Sequence, residues 1–160
     1  MTIRTFSYGG GVQSTAALVL AAQGKIDYPT FLFSNVGDDS EYPATLTYVR
    51  EVAMPYAASN GIDLWEIRKT PRGKDRTLYG VLTREDSRSI NIPMRMNDSG
   101  APGTRSCTSD FKIRRIAAIL KLMGATKEHP AVTGLGISLD EFQRMRTDSG
   151  IAWQTLEYPQ

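Results

Sequence analysis

Three consecutive glycines, Gly9, Gly10 and Gly11, stand between an apolar run and a helix-forming run, with Gln13, Ser14 and Thr15 just behind them. A turn between a strand and a helix N-terminus presents free backbone N–H groups and the positive end of the helix dipole. Glycines let that backbone approach an anion without side-chain clash, and hydroxyls in the first helical turn add donors. The chemistry this suits is binding of phosphate, pyrophosphate or sulfate. The plainer alternative is a glycine turn in which Ser14 merely caps the helix. Further candidates follow along the chain: the acidic pair Asp38–Asp39, the cations Arg105 and Lys112 around the single cysteine Cys107, and the glycine-containing turn from Gly134 to Ser138.

These residues need a frame, and the order of elements supplies one. Residues 2–8 are β-branched and aromatic, as a strand requires. Residues 14–23 predict a helix that Gly24 and Lys25 stop. Residues 29–34 are a short apolar run suited to a strand buried on both faces. A long helix should follow, with Ser40 as N-cap, Pro43 in its first turn and Pro55 kinking or dividing it. Residues 62–69 read as the next strand and 77–86 as a short helix. A long loop containing Met94 and Met96 leads to a helix over 109–124, where Ile113, Ile116, Ala117 and Leu120 repeat at helical spacing. Strands near 130–138 and 153–159 complete the chain. Trp65 and Trp153, flanking strands, are expected in the core, and His129 is expected to be structural.

This alternation implies an α/β protein with a Rossmann-like, doubly wound, mostly parallel five-stranded sheet and flanking helices, formed by residues 1–160 as a single domain. Such sheets bind ligands at the carboxyl ends of their strands, near the switch point. The glycines, the segment Asn35–Asp39 and the segment Gly134–Ser138 all fall at such ends.

Composition narrows the classes. The chain has 160 residues, 41% of them hydrophobic and 22% charged, as in ordinary globular proteins. A net charge of +2 is too small to point to nucleic acid. No run of about 18 apolar residues exists, so no membrane helix is expected. One cysteine cannot form an internal disulfide or hold an iron–sulfur cluster alone, and one histidine poorly supports a zinc site or a Ser-His-Asp triad. A cytoplasmic location is the expectation. Cys107 precedes a helix near Arg105, which would lower a thiol pKa, although a small packed loop residue explains it as well.

Three binding patterns compete for the glycine turn. A Walker A loop needs a Lys where Gln13 stands, which excludes it. A dinucleotide fingerprint, G-x-G-x-x-G, fails at its third glycine, because Gly9-x-Gly11-x-x-Ser14 ends in serine. An NAD-type domain therefore remains an alternative only through Asp38 and Asp39. The third pattern is the pyrophosphatase loop S-G-G-x-D-S of adenine-nucleotide α-hydrolase-like enzymes, which "GGGVQS" resembles.

Four segments in order, "SYGGGVQSTA", "FSNVGDDSEYPATLTYV", "TRSCTSDFKIRRI" and "VTGLGISLDEFQRMR", make the chain similar to the phosphoadenosine-phosphosulfate (PAPS) reductase-like branch of the PP-loop superfamily. The resemblance implies that Ser7, Gly9, Gly10, Gly11, Gln13, Ser14 and Thr15 form the phosphate loop. It implies that Phe33, Ser34 and Asn35 meet adenine, largely through backbone groups, and that Gly37 shapes the following turn. Arg105, Lys112 and Arg144 would face the phosphate or sulfate end, Gly134 would let the backbone approach the ribose, and Asp38 and Asp39 would hold Mg²⁺. Ser14, Lys112 and Arg144 are the expected catalytic groups. The implied ligand is ATP or PAPS with Mg²⁺, and the implied chemistry is cleavage between the α and β phosphates or sulfonucleotide chemistry. A tRNA or DNA partner, reached through another protein or a missing segment, is a further implication, and an exposed, unfinished sheet edge would favour a homodimer.

The chain departs from the family at Gln13, where the loop has Asp, and at Asn35, where the second segment begins with Asp. It has no cysteine after Cys107 and ends at "EYPQ", where relatives continue, so truncation is expected. These departures favour a nucleotide-binding module without turnover as the alternative to an enzyme.

Overall fold

The computed structural model describes residues 2–85, 92, 95, 100, 106–146 and 148–159, with backbone alone for Leu139 and Arg144. Five strands form one sheet: β1 (Arg4–Tyr8), β2 (Thr30–Asn35), β3 (Asp63–Arg68), β4 (Ala131–Leu135) and β5 (Gln154–Glu157). Their order is β3-β2-β1-β4-β5, and every pairing is parallel. The chain steps outward from β1 to β3, then returns to place β4 on the other side of β1. The reversal lies between β1 and β4, at whose carboxyl ends the two glycine turns emerge. This is the doubly wound α/β arrangement.

Helices cover both faces for a reason legible in β2, whose six residues are all buried. Alternate residues point to opposite sides. Phe31 and Phe33 join Phe6 and Tyr8 against α1 (Val12–Ala22) and the helical stretch that begins with α2 (Pro43–Tyr48) and ends with α3 (Met54–Ser59). Leu32 and Ile67 face the other way, onto Ile116 and Leu120 of α5 (Arg114–Leu122). A short α4 (Leu78–Leu82) closes the carboxyl end, where Val81 packs on Val36 and Phe111.

Some expectations shift in detail. The helix through Pro55 is not broken. It widens to π-helical bonding over Val49–Ala53 and resumes with Pro55 in the first turn of α3. A proline there has no N–H and its ring would crowd the carbonyl of Glu51 in a regular helix, so a wide turn relieves both problems. A second π-helical stretch, Thr108–Ile113, leads into α5. Tyr42, not Ser40, is the N-cap of α2. Ser40 instead accepts a hydrogen bond from the Tyr79 N–H at 2.9 Å, tying α4 to the β2–α2 turn. Trp65 is 41% exposed, because β3 is an edge strand, so it is not a core residue. Trp153 is half-buried and donates its indole N–H to the Ala117 carbonyl at 2.9 Å. His129 closes a turn with Thr126. Met94 and Met96 lie outside the described residues. Among the described residues no helix is long and apolar enough to cross a membrane.

Candidate functional site

Helix α1 begins at Val12, earlier than its sequence pattern suggests, with Gly11 as its N-cap. The first helical hydrogen bond runs from Thr15 N–H to the Gly11 carbonyl, 3.0 Å. The N–H groups of Val12, Gln13 and Ser14 thus stand outside helical bonding at the exposed end of the helix. Ser14 is not the cap. It is buried in the first turn and its hydroxyl donates back to the Gly11 carbonyl at 3.0 Å. Thr15 faces inward and shares a hydrogen bond of 3.0 Å with Tyr8, which fastens α1 to the end of β1. Burial pushes the Tyr8 phenol pKa up, so the hydroxyl stays protonated.

Gly10 has φ +73°, a left-handed conformation that favours glycine, and a Cβ there would come within 2.7 Å of the Thr45 methyl on α2. The turn after β1 therefore nests against the helix after β2. Gly136, just past β4, makes a second close approach: a Cβ would lie 3.1 Å from the Gln13 Cβ and 3.3 Å from the Ser14 nitrogen. The two glycine turns meet at the start of α1.

The third junction joins β2 to the π-helical stretch before α5. Ser34 is buried and donates to the Phe111 carbonyl at 2.6 Å. Next to Phe111, the Lys112 ammonium lies 3.9 Å from Glu41, whose side chain is 15% exposed. Three junctions thus gather the four sequence segments at one end of the sheet.

A charged cluster stands beside this site. Asn35 is buried and its amide donates to Asp38 at 2.8 Å and to Glu66 at 2.6 Å, while its oxygen accepts the Gly37 N–H at 2.7 Å. Arg50 and Arg68 each reach both carboxylates, with distances of 2.8 to 2.9 Å. Hydrogen bonds from Asn35, Arg50 and Arg68 hold the Asp38 carboxyl at about 2. The same three partners, Arg50 foremost, hold Glu66 at about 2 against the opposing effect of burial. Arg50 and Arg68 are both raised by hydrogen bonds to these carboxylates.

The other expected residues divide clearly. Ser7 is half-buried at the end of β1, Phe33 is buried in the core, and Gly37 has φ +133° with Asp39 and Thr77 packed where a Cβ would go. Asp38 receives its amide and guanidinium partners at one oxygen, Oδ1, and two cations already match its charge. Among the described residues Asp39 takes hydroxyl donors alone, Thr77 at 2.9 Å and Ser40 at 2.7 Å. Among the described residues no group of three or more His, Cys, Asp or Glu is arranged for a metal. Of the pair, Asp39 is the carboxylate that fits Mg²⁺, an ion that commonly takes one or two protein carboxylates and completes its shell with phosphate and water. Gly134 has a packing reason of its own: a Cβ would strike Phe6 at 2.5 Å and Tyr28 at 2.8 Å. Arg105 lies outside the described residues. Arg144 ends a 3₁₀ segment, Leu139–Arg144, and only its backbone is described. Cys107 is a half-buried free thiol.

Sequence reasoning missed Thr45, Arg50, Glu66 and Arg68. Glu66 and Arg68 stand two apart on β3, a spacing that puts both on one face, whereas Arg50 comes from the helical stretch after α2, and only the fold brings it to them. The fold and this site define a class, a doubly wound α/β protein with paired glycine turns at its switch point. Comparison of the chain with protein-family models, curated proteins and solved structures finds no match.

Proposed function

We propose that this protein binds an adenine nucleotide, ATP or PAPS, at the carboxyl ends of β1, β2 and β4, as a PAPS reductase-like PP-loop protein. The observation that carries the reading is the convergence of all four resembling segments through Gly10–Thr45, Ser34–Phe111, Glu41–Lys112 and Gly136–Ser14. The N–H groups of Val12, Gln13 and Ser14 would receive the phosphates, and Lys112 would meet the charge at the far end. With ATP, the reaction is cleavage between the α and β phosphates, giving an adenylated acceptor and pyrophosphate. Mg²⁺ would neutralise the leaving pyrophosphate, and the turn's fixed donors would stabilise the charge that develops there. The cytoplasmic nucleotide pool is the natural source of such a ligand.

Titration calorimetry with ATP, PAPS and NAD, with and without Mg²⁺, tests the reading. Binding of ATP or PAPS is expected, and Lys112→Ala should weaken it. Tight NAD binding without either would overturn it. Pyrophosphate release from ATP then tests turnover, which Ser14→Ala and Lys112→Ala should abolish. One observation favours a module that binds without turnover. Asn35 is tied into the charged cluster, so the position that is acidic in the resembling family serves here as a structural amide. Nucleotide binding with no pyrophosphate release would decide for that reading.

A further inference from the structure

The segment from Arg68 to Arg76 holds five cations, Arg68, Lys69, Arg72, Lys74 and Arg76, and a single carboxylate, Asp75. The whole chain carries only +2, so this loop after β3 is a strong local concentration. Its one carboxylate is already used, at 3.3 Å from Arg68. Arg72 stands at φ +54° between Pro71 and Gly73. That left-handed conformation costs a non-glycine residue roughly 1 kcal/mol. The chain therefore keeps an arginine at the turn tip where glycine would fit more easily.

The cations continue onto the neighbouring elements. Lys69 lies over the Phe111 ring, 4.7 Å from its centroid, and among the described residues donates only to the Asp110 carbonyl at 3.4 Å. The Asp110 carboxylate is taken by Arg114 at 3.0 Å. Burial first, then the nearby charges of Arg76 and Arg114, pull the Lys69 pKa down against the attraction of Asp110. Like charges are thus held together without a matching set of carboxylates. On the other side, Arg76 and Arg84 line a cavity of about 230 Å³ together with Asp75, Thr77, Gly80 and Val81, and its one carboxylate is the one already paired with Arg68. Neither guanidinium makes an ion pair among the described residues. Tyr79, on the same short helix, is 57% exposed.

We infer that the strip from Lys69 past Arg76 to Arg84 docks the phosphodiester backbone of a single-stranded nucleic acid, with Tyr79 as a stacking face beside it. Guanidinium groups suit phosphate oxygens, and a row of them suits a repeating anion rather than one ion. An exposed aromatic three residues after Arg76 suits unpaired bases, whose faces are free to stack. An acidic peptide would satisfy the charges and leave Tyr79 without a role. The strip starts at the end of β3 and runs along α4, which packs on the turn after β2, so it borders the proposed nucleotide site, and ATP binding by the variant separates the two readings.

The test is fluorescence anisotropy of the full chain with a labelled single-stranded oligonucleotide across a salt series. The parent should bind single strands more tightly than the matching duplex and more tightly than polyglutamate. Arg76→Ala/Arg84→Ala should weaken binding and lower the slope of log affinity against log salt by about 1.4, at about 0.7 for each phosphate no longer neutralised. Arg76→Lys/Arg84→Lys should keep most of the slope. The same double alanine variant should bind ATP as the parent does. Unchanged oligonucleotide affinity in that variant overturns the inference, and so does equal affinity for duplex or polyglutamate. Parallel loss of ATP binding also overturns it, because the arginines would then belong to the nucleotide site. A parent that binds oligonucleotide but no nucleotide would support this inference and sink the nucleotide reading.

Discussion

The carboxyl ends of β1 and β2 are adjacent in the sheet and opposite in chemistry. After β2, Asn35, Asp38, Glu66, Arg50 and Arg68 form a closed set in which each charge faces another. After β1, Gly9 to Gln13 carries no charge and offers backbone N–H groups at an exposed helix start. A compensated charge cluster acts as a frame, since its groups already have partners. An uncharged turn with unused donors leaves its binding capacity for something from outside. The residues that look most chemical therefore hold the fold, and the ones with least side chain are left with unused donors.

Four experiments would break or sharpen that contrast. The largest effect should come from Glu66→Ala. It removes the more buried of the two carboxylates that Arg50, Arg68 and the Asn35 amide share, since the Glu66 side chain is only 15% exposed and that of Asp38 is 50% exposed. A loss of about 2–3 kcal/mol in urea unfolding is expected; a loss near zero would mean that the cluster frames nothing. Acid probes the same groups. Asp38 and Glu66 have folded pKa values of about 2, below their ordinary 3.8 and 4.5. Their contribution is complete above the ordinary values and is lost as pH falls through the folded ones. Thermal midpoints should therefore drop between about pH 4.5 and 2, more steeply in the parent than in Glu66→Ala.

Next in size is Gly10→Ala, which combines a positive φ with a Cβ 2.7 Å from the Thr45 methyl. A destabilisation of about 1–3 kcal/mol is expected. Thr45→Ser in the same chain removes the methyl and should restore part of it. If it restores nothing, the two turns do not press on each other as described. The smallest effect on stability belongs to Gly9→Ala, where a Cβ meets nothing within 4 Å and φ is not positive. Stability should change by less than about 0.5 kcal/mol. ATP affinity, measured by calorimetry, should nevertheless fall, because a methyl would stand where the phosphates approach. Unchanged affinity would remove the turn from the binding site.

β1, β2 and β4 were readable because their residues are largely apolar, aromatic or β-branched in short runs, and β2 has no exposed face to mislead. Helix α5 was readable from the spacing of Ile116, Ala117 and Leu120, which the core indeed buries. Trp65 misled because its size suggests a core, whereas edge position is a property of the sheet order. Ser14 stands in the first helical turn as expected, and the plainer alternative, a capping serine, fails because the helix begins two residues earlier. The roles of Asn35 and Gly134 were hidden for a related reason. One depends on Glu66 and Arg50 from distant elements, the other on the rings of Phe6 and Tyr28.

The sequence by itself determined the alternation of elements, the parallel sheet that alternation requires, and a glycine turn able to receive an anion. Those follow from local periodicity and local backbone freedom, which neighbouring residues specify. Only the tertiary structure decided that Gly10 nests on Thr45, that Gly136 meets the start of α1, and that the carboxylates after β2 answer to Arg50 and Arg68. Each of these pairs residues from separate elements. Strand order, not sequence distance, brings them within reach.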